Sequence, residues 1–329
     1  MQAQNGDSIG SHRASRPAAA AMHSAVKPGD VLVAVAREEL AFVFQSLGWR
    51  SAARRMRGVQ ATKPHAAVRT AGHRSDDKAA PQLPAGLREA AKQLVVEMQG
   101  ERRLRFSPAD LQSRMRLDDP HELVAAYTRQ MMSFLLFNPD PAAILMIGLG
   151  GGSMAKFCHS HLPRASLTVV EVDARVIALR DAFFVPPDDA RLRVVHDDGA
   201  RYMRLAHAPL DAILVDAFDE SGVAQSLADP QFFLEAARRL APDGVLIMNL
   251  HGDSARFAAH LRSARAAFGA RSLLAPVTAN ENLLLFAWGE RAVARQDVRM
   301  DVRARRLQSM LRLNFVSYLR RLREARTIG

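Results

Sequence analysis

Ile147-Gly148-Leu149-Gly150-Gly151-Gly152-Ser153 is the stretch that decides the fold. It follows the apolar run Ala143–Ile147 and opens a helical pattern over Met154–His161. Glycines at such a turn permit positive φ and let a ligand approach the backbone closely. The helix N-terminus behind them adds partial positive charge. Ser153 stands where a G-x-G-x-x-G dinucleotide fingerprint needs its last glycine, so that motif is imperfect.

Downstream the same rhythm repeats. Thr168–Val172, Leu192–His196, Ala212–Val215 and Val245–Asn249 are further apolar runs of strand length. Helical patterns over Ala174–Phe183, Ala200–Ala206, Asp229–Leu240 and Ser254–Phe268 alternate with them. Such alternation predicts a parallel sheet with helices on both faces. Leu273–Leu274 and Leu283–Trp288 fit a closing antiparallel pair. The expectation is an α/β, Rossmann-like, doubly wound sheet of seven strands.

Upstream, residues 86–138 read as a small helix and β-hairpin element. Leu87–Met98 suits a helix, and Arg103–Ser107 and Ser113–Leu117 alternate as strands. Pro120 opens a helix that carries the apolar stretch Leu123–Phe137, and Asn138-Pro139-Asp140-Pro141 ends it. Residues 139–290 form the Rossmann-type body. Residues 291–329 read as one basic amphipathic helix from Gln296 to Arg326, with a stripe of Leu307, Leu311, Phe315, Tyr318 and Leu322. The stripe packs on the body or on a second subunit, which allows a homodimer. Residues 1–85 read as a disordered basic tail, with one helical candidate at Val31–Trp49. Asp30, Glu38 and Glu39 oppose a transit peptide there.

Composition narrows the class. The chain has 329 residues, 48% apolar and 24% charged, as in ordinary globular proteins. No apolar run reaches the length of about 18 residues that a membrane span needs. A single cysteine, Cys158, excludes an intrachain disulfide framework and a Cys-rich zinc site. The expectation is a cytoplasmic enzyme without a metal. The net charge of +11 sits at the ends. Residues 1–85 carry 12 Lys+Arg against 6 Asp+Glu, and residues 290–329 carry 11 against 4. Basic arms can contact nucleic acid without specificity, but solvated arms are the favoured reading.

Three acidic signals follow the glycine loop, each at the carboxyl end of a successive strand. That edge is where open α/β sheets bind ligands. Glu171 lies 23 residues after Gly148, where an acid can accept both ribose hydroxyls of a nucleoside. Asp197-Asp198-Gly199 follows the third strand and can meet an adenine amino group. Asp216 and Asp219, after the fourth strand, can hold a cationic amine or deprotonate it. Tight turns and helix-capping acids are the plainer alternative for all of these. Asn249 ends the fifth strand and either faces the site or caps the strand. His159 and His161 lack ligand partners at metal spacing. No G-x-S-x-G elbow supports a serine hydrolase.

From about Phe106 to Trp288 the chain resembles the spermidine synthase (polyamine aminopropyltransferase) superfamily, within the class I S-adenosylmethionine-dependent methyltransferase fold. The carrying pieces are Gln112-Ser113-Arg114-Met115, Tyr127, "ILMIGLGGGS", "VVEVDARVI", "RLRVVHDDGARYM", "AILVDAFDESG" and "LAPDGVLIMNL". The resemblance implies a donor site at Gly148, Gly150, Gly151, Gly152, Glu171 and Asp197 or Asp198. It implies Asp216 as the base on the attacking amine, with Asp219, Gln112 and Tyr127 placing the acceptor. Gly151 stands where the family has an aspartate that holds the donor's aminopropyl ammonium. The resemblance implies aminopropyl transfer from decarboxylated S-adenosylmethionine to an amine in polyamine biosynthesis, and Gly151 leaves the form of the donor open. The alternative is intact S-adenosylmethionine in methyl transfer. A further alternative is a non-catalytic nucleoside-binding protein with basic arms. The segment Val277–Asn282 lacks the family's aromatic polyamine contact.

Overall fold

The computed structural model describes residues 85–107, 110–205, 208–219, 222–251, 256–277, 282–292 and 297–328. The basic tail through residue 84, with the helix expected at Val31–Trp49, lies outside them. So does most of Val277–Asn282.

Helix α1 (Ala85–Lys92) leads into β1 (Val95–Met98), β2 (Glu101–Ser107) and β3 (Asp110–Arg116), a three-stranded antiparallel sheet. The expected hairpin is β2–β3. Val95–Met98 is a strand rather than the end of a helix. The reason lies at Gln99 and Gly100, whose φ values are 53° and 74°. Two successive positive φ angles form a tight turn that matches strand twist. It sets Met98 against Glu101 and Val95 against Leu104. The stretch expected as one helix to Phe137 is α2 (Ala126–Met131) followed by a 3₁₀ segment, Met132–Leu136. That segment is buried all round, so no single face holds it to the α-helical period.

The body alternates as the runs predict. In order come β4 (Ala143–Ile147), α3 (Ser153–His161), β5 (Ser166–Glu171), α4 (Ala174–Ala178), β6 (Leu192–His196), α5 (Gly199–Arg204) and β7 (Leu210–Val215). A two-residue hairpin, β8 (Phe218–Asp219) and β9 (Gly222–Val223), precedes α6 (Pro230–Arg239), β10 (Leu240–His251) and α7 (Phe257–Phe268). The antiparallel pair β11 (Ser272–Pro276) and β12 (Asn282–Trp288) follows. Then come α8 (Arg299–Leu311), α9 (Phe315–Glu324) and β13 (Arg326–Thr327).

The main sheet runs β13-β11-β12-β10-β7-β4-β5-β6. It holds the seven expected strands and gains β13 as a short eighth at one edge. From β6 to β10 every pair is parallel. The inner strands β4, β7 and β10 carry nearly continuous buried apolar runs because helices cover both faces, whereas the edge strand β6 is partly exposed. The chain steps from β4 outward to β5 and β6, then returns to the other side of β4 as β7. The strand order reverses between β4 and β7, and a crevice opens at such a switch.

The C-terminal segment is two helices, not one. Arg312 adopts a left-handed conformation (φ 53°) and ends α8, and the Asn314 side chain accepts Ser317 N–H to start α9. The stripe from Leu307 to Leu322 is buried on the body, against the 3₁₀ segment and β11. No helix among the described residues is long and apolar enough to cross a membrane.

Candidate active site

The glycine loop leaves β4 at the switch point. Gly148 N–H donates to Val170 O at 2.8 Å, and Asp216 N–H donates to Ile147 O at 2.9 Å. Gly148 has φ 96°, and a Cβ there would lie 2.1 Å from Asp216 O. Only glycine lets β4 and β7 leave the sheet this close together. Gly150 and Gly152 also have positive φ, and a Cβ on Gly152 would strike Val185 at 2.2 Å. Gly151 has ordinary φ but no space: a Cβ would meet Ser113 Oγ at 2.7 Å and Phe183 at 3.0 Å. Strand β3 therefore lies over the loop through Ser113, while Gln112 is half-buried beside it.

Phe183, which covers Gly151, is held from below. Lys156 on α3 donates to Phe183 O at 2.7 Å and lies 3.0 Å from Met115 Sδ. Burial without a carboxylate partner pushes this lysine down to about 8.

Glu171 ends β5 with only 8% of its surface exposed. Its Oε2 accepts Leu149 N–H and its Oε1 accepts Asp173 N–H, both at 2.8 Å. Burial raises its pKa, and the N–H donors offset part of that rise. Each carboxylate oxygen keeps a second lone pair, so the group can still accept two hydroxyls. After β6, Asp198 caps α5 through Arg201 N–H at 2.8 Å and accepts Ser226 Oγ–H at 2.8 Å. Asp197 takes the Arg201 guanidinium at 2.6 and 3.1 Å.

On the other side of the switch, Asp216 collects partners from distant segments. The Asn249 amide donates to its Oδ1 at 3.0 Å, and the Tyr127 hydroxyl donates to its carboxylate. Burial raises the Asp216 pKa; Asn249, Tyr127 and the nearby His251 each pull it back in part. Tyr127 is pushed well above the usual phenol range by burial first and by Asp216 next, so it stays a neutral donor. Asn282 on β12 donates to Asn249 Oδ1 at 2.8 Å and lies 3.1 Å from His251 Nε2. The Phe218 ring meets His251 edge-on at 4.8 Å. Asp219 pairs with Gly222 through the β8–β9 hairpin.

The structure thus places Gly148 beside Asp216 and brings Tyr127 and Asn249 onto Asp216. Glu171, Asp197 and Asp198 line the neighbouring strand ends. Ser113, His251, Asn282 and Lys156 are parts that the sequence reading did not single out. His251 lies two residues after Asn249, the spacing that puts both on one face of β10. Lys156 had a compositional signal, since only it and Lys92 are lysines after residue 85. No group of acidic, His or Cys residues among the described residues has the makings of a metal site.

Residues 124–264 match the spermine/spermidine synthase domain. The chain is 34% identical over 238 residues to a polyamine aminopropyltransferase from Chromobacterium violaceum, covering 72% of this chain and 91% of the relative. It is 32% identical over 216 residues to a polyamine aminopropyltransferase from Neisseria meningitidis, covering 65% and 82%. A spermidine synthase solved with the transition-state analogue AdoDATO shares the fold with a TM-score of 0.51 and 20% identity, over 68% of this chain and 83% of that one. Human methyltransferase-like protein 13 with SAH shares it with a TM-score of 0.50 and 24% identity, over 57% and 93%.

Proposed function

The chain belongs to the spermine/spermidine synthase family, and from that premise we propose how its site performs aminopropyl transfer to a polyamine-type amine. The donor is decarboxylated S-adenosylmethionine. Glu171 receives the ribose hydroxyls on its remaining lone pairs, and the turn of Gly148 to Gly152 lies along the donor backbone. The acids at the end of β6 flank the adenine.

The reaction is a displacement. The acceptor nitrogen attacks the propyl carbon next to the sulfonium; the C–S bond breaks and leaves a neutral thioether. The sulfonium needs no activation, so the protein's work is to position the amine and take its proton. Asp216 is the base. The observation that carries this role is the convergence of Tyr127 and Asn249 on one carboxylate beside Gly148. Both donors stabilise the ionised form against burial, and burial leaves the group more basic than an exposed carboxylate. Asp219 on β8 follows Asp216 by three residues, Gln112 on β3 adjoins Ser113, and both serve acceptor placement.

Calorimetric titration with decarboxylated and intact S-adenosylmethionine tests the donor assignment. Tighter binding of the decarboxylated form supports aminopropyl transfer. Tighter binding of the intact form transfers the reading to methyl transfer, a choice that Gly151 leaves open because it carries no carboxylate.

A further inference from the structure

Helix α2 carries Tyr127 but is only six residues long. Its N-cap, Ala125, offers no side-chain cap. A helix this short has little stability of its own, so tertiary ties decide its direction. It packs on β10, β12 and the 3₁₀ segment, and one of its side-chain ties comes from a C-terminal helix. Gln130, one turn after Tyr127 and 1% exposed, accepts from Arg321 Nη1 of α9 at 2.7 Å. The same side chain donates to Pro276 O at 3.1 Å. Pro276 ends β11 and pairs with Leu283, the neighbour of Asn282, which holds Asn249. Farther along, Arg303 of α8 donates to Leu136 O and Phe137 O at 2.5 and 2.6 Å, closing the end of the 3₁₀ segment.

The helix that carries the Tyr127 donor of Asp216 is therefore tied through one buried amide to the C-terminal helix. We infer that Arg321, on the basic C-terminal helix, is a positioning residue for the transfer step: it fixes Gln130, and through Gln130 it sets α2 so that the Tyr127 hydroxyl meets Asp216. This gives the C-terminal segment a catalytic purpose beyond its charge. It rests on the reading of Asp216 as the base.

The geometry has a direct consequence. A buried Gln130 without Arg321 has an unsatisfied acceptor and one remaining tie, so α2 can rotate. Misplacement of a catalytic group by about 1 Å can cost about 100-fold in rate. Partial loss of the Tyr127 contact should then cost about 10-fold. The groups facing Asp216 are Tyr127 from α2, Asn249 and His251 from β10 and, across Tyr127, Arg114 from β3. Of these only the Tyr127 contact depends on Arg321.

The test is a double-mutant cycle on the full chain, with decarboxylated S-adenosylmethionine and 1,4-diaminobutane as probe substrates. R321M is expected to lower kcat about 10-fold with the donor KM changed less than about 2-fold. It should move the acid limb of the kcat profile to higher pH, because the Tyr127 hydrogen bond favours ionised Asp216. R321K should restore most of the rate. In a Y127F background R321M should cost nothing further, since its effect runs through that hydroxyl. Thermal melts check folding, and R321Q replaces R321M in the cycle, under the same criterion, if R321M does not fold. Full kcat in R321M, or an equal loss with and without the Tyr127 hydroxyl, overturns the inference. If Y127F and D216N both turn over normally, the base reading itself is wrong and the brace falls with it.

Discussion

The two sides of the switch point are built differently. On the proposed assignment the donor side, from Gly148 to Asp198, is a run of successive strand ends, and its key contacts are backbone N–H groups meeting a carboxylate. The acceptor side gathers Tyr127, Asp216, Asn249, His251 and Asn282 from four separate segments. It holds them by side-chain hydrogen bonds. The donor side is rigid because the sheet is rigid. The acceptor side is only as well set as the network behind it, so lesions on the two sides should separate binding from turnover.

The sharpest separation is at Asp216. D216N should reduce turnover by about 10² to 10⁴-fold, the range for loss of a general base. Donor affinity by calorimetry should stay within a few-fold, and a collapse of donor binding would place Asp216 on the donor side instead. The same substitution should raise Tm. The Asp216 pKa is above its unfolded value, so the unfolded chain releases that proton at lower pH than the folded one. Stability then falls as pH rises through that window, the cost of ionising the buried group. Asn at this position removes it while keeping an acceptor for Asn249.

E171Q should do the converse. Losing a buried charged acceptor is expected to weaken donor binding by about 10- to 100-fold, on the order of 1.5–3 kcal/mol. The saturated rate should change far less, and a pure kcat effect would contradict the donor assignment. G148A is the one substitution expected to damage both sides at once. Its Cβ has no room against Asp216 O, and φ of 96° is strained for alanine. Stability should drop by about 1–3 kcal/mol in chemical denaturation, with donor affinity and kcat both reduced.

N249A is expected to lower kcat about 10-fold and shift the acid limb upward, because it removes a hydrogen bond from the ionised Asp216. An unmoved limb would show that the amide does not act on that carboxylate in solution. The smallest effect belongs to the layer under the loop. Lys156 has a folded pKa of about 8 against 10.5 for the unfolded chain. The unfolded chain thus binds more protons between those values, and stability should rise with pH across that window. K156M should abolish this rise in melts from pH 8 to 10.5 and leave turnover nearly intact.

The donor side was legible because each signal is local. A glycine that must take φ of 96° and an acid at the next strand end leave their marks within a few residues. The central strand β4 was readable to the residue for a related reason: a strand buried on both faces must be apolar throughout. Local reading failed where a distant partner or a single backbone angle decided the outcome. Val95–Met98 has the composition of a helix end, and the turn at Gln99-Gly100 makes it a strand. The C-terminal stripe keeps its period through Arg312, yet the chain breaks there.

By itself the sequence determined the strand–helix alternation, the glycine turn and the row of acids at successive strand ends, because those depend on burial pattern and backbone permission along neighbouring residues. It also pointed to Asp216 and Tyr127 through a family resemblance. Only the tertiary structure decided that Tyr127 and Asn249 converge on Asp216, that Ser113 and Phe183 close over Gly151, and that Arg321 reaches Gln130. Those contacts join residues scores of positions apart, and no local periodicity encodes which distant side chains the folded sheet will bring together.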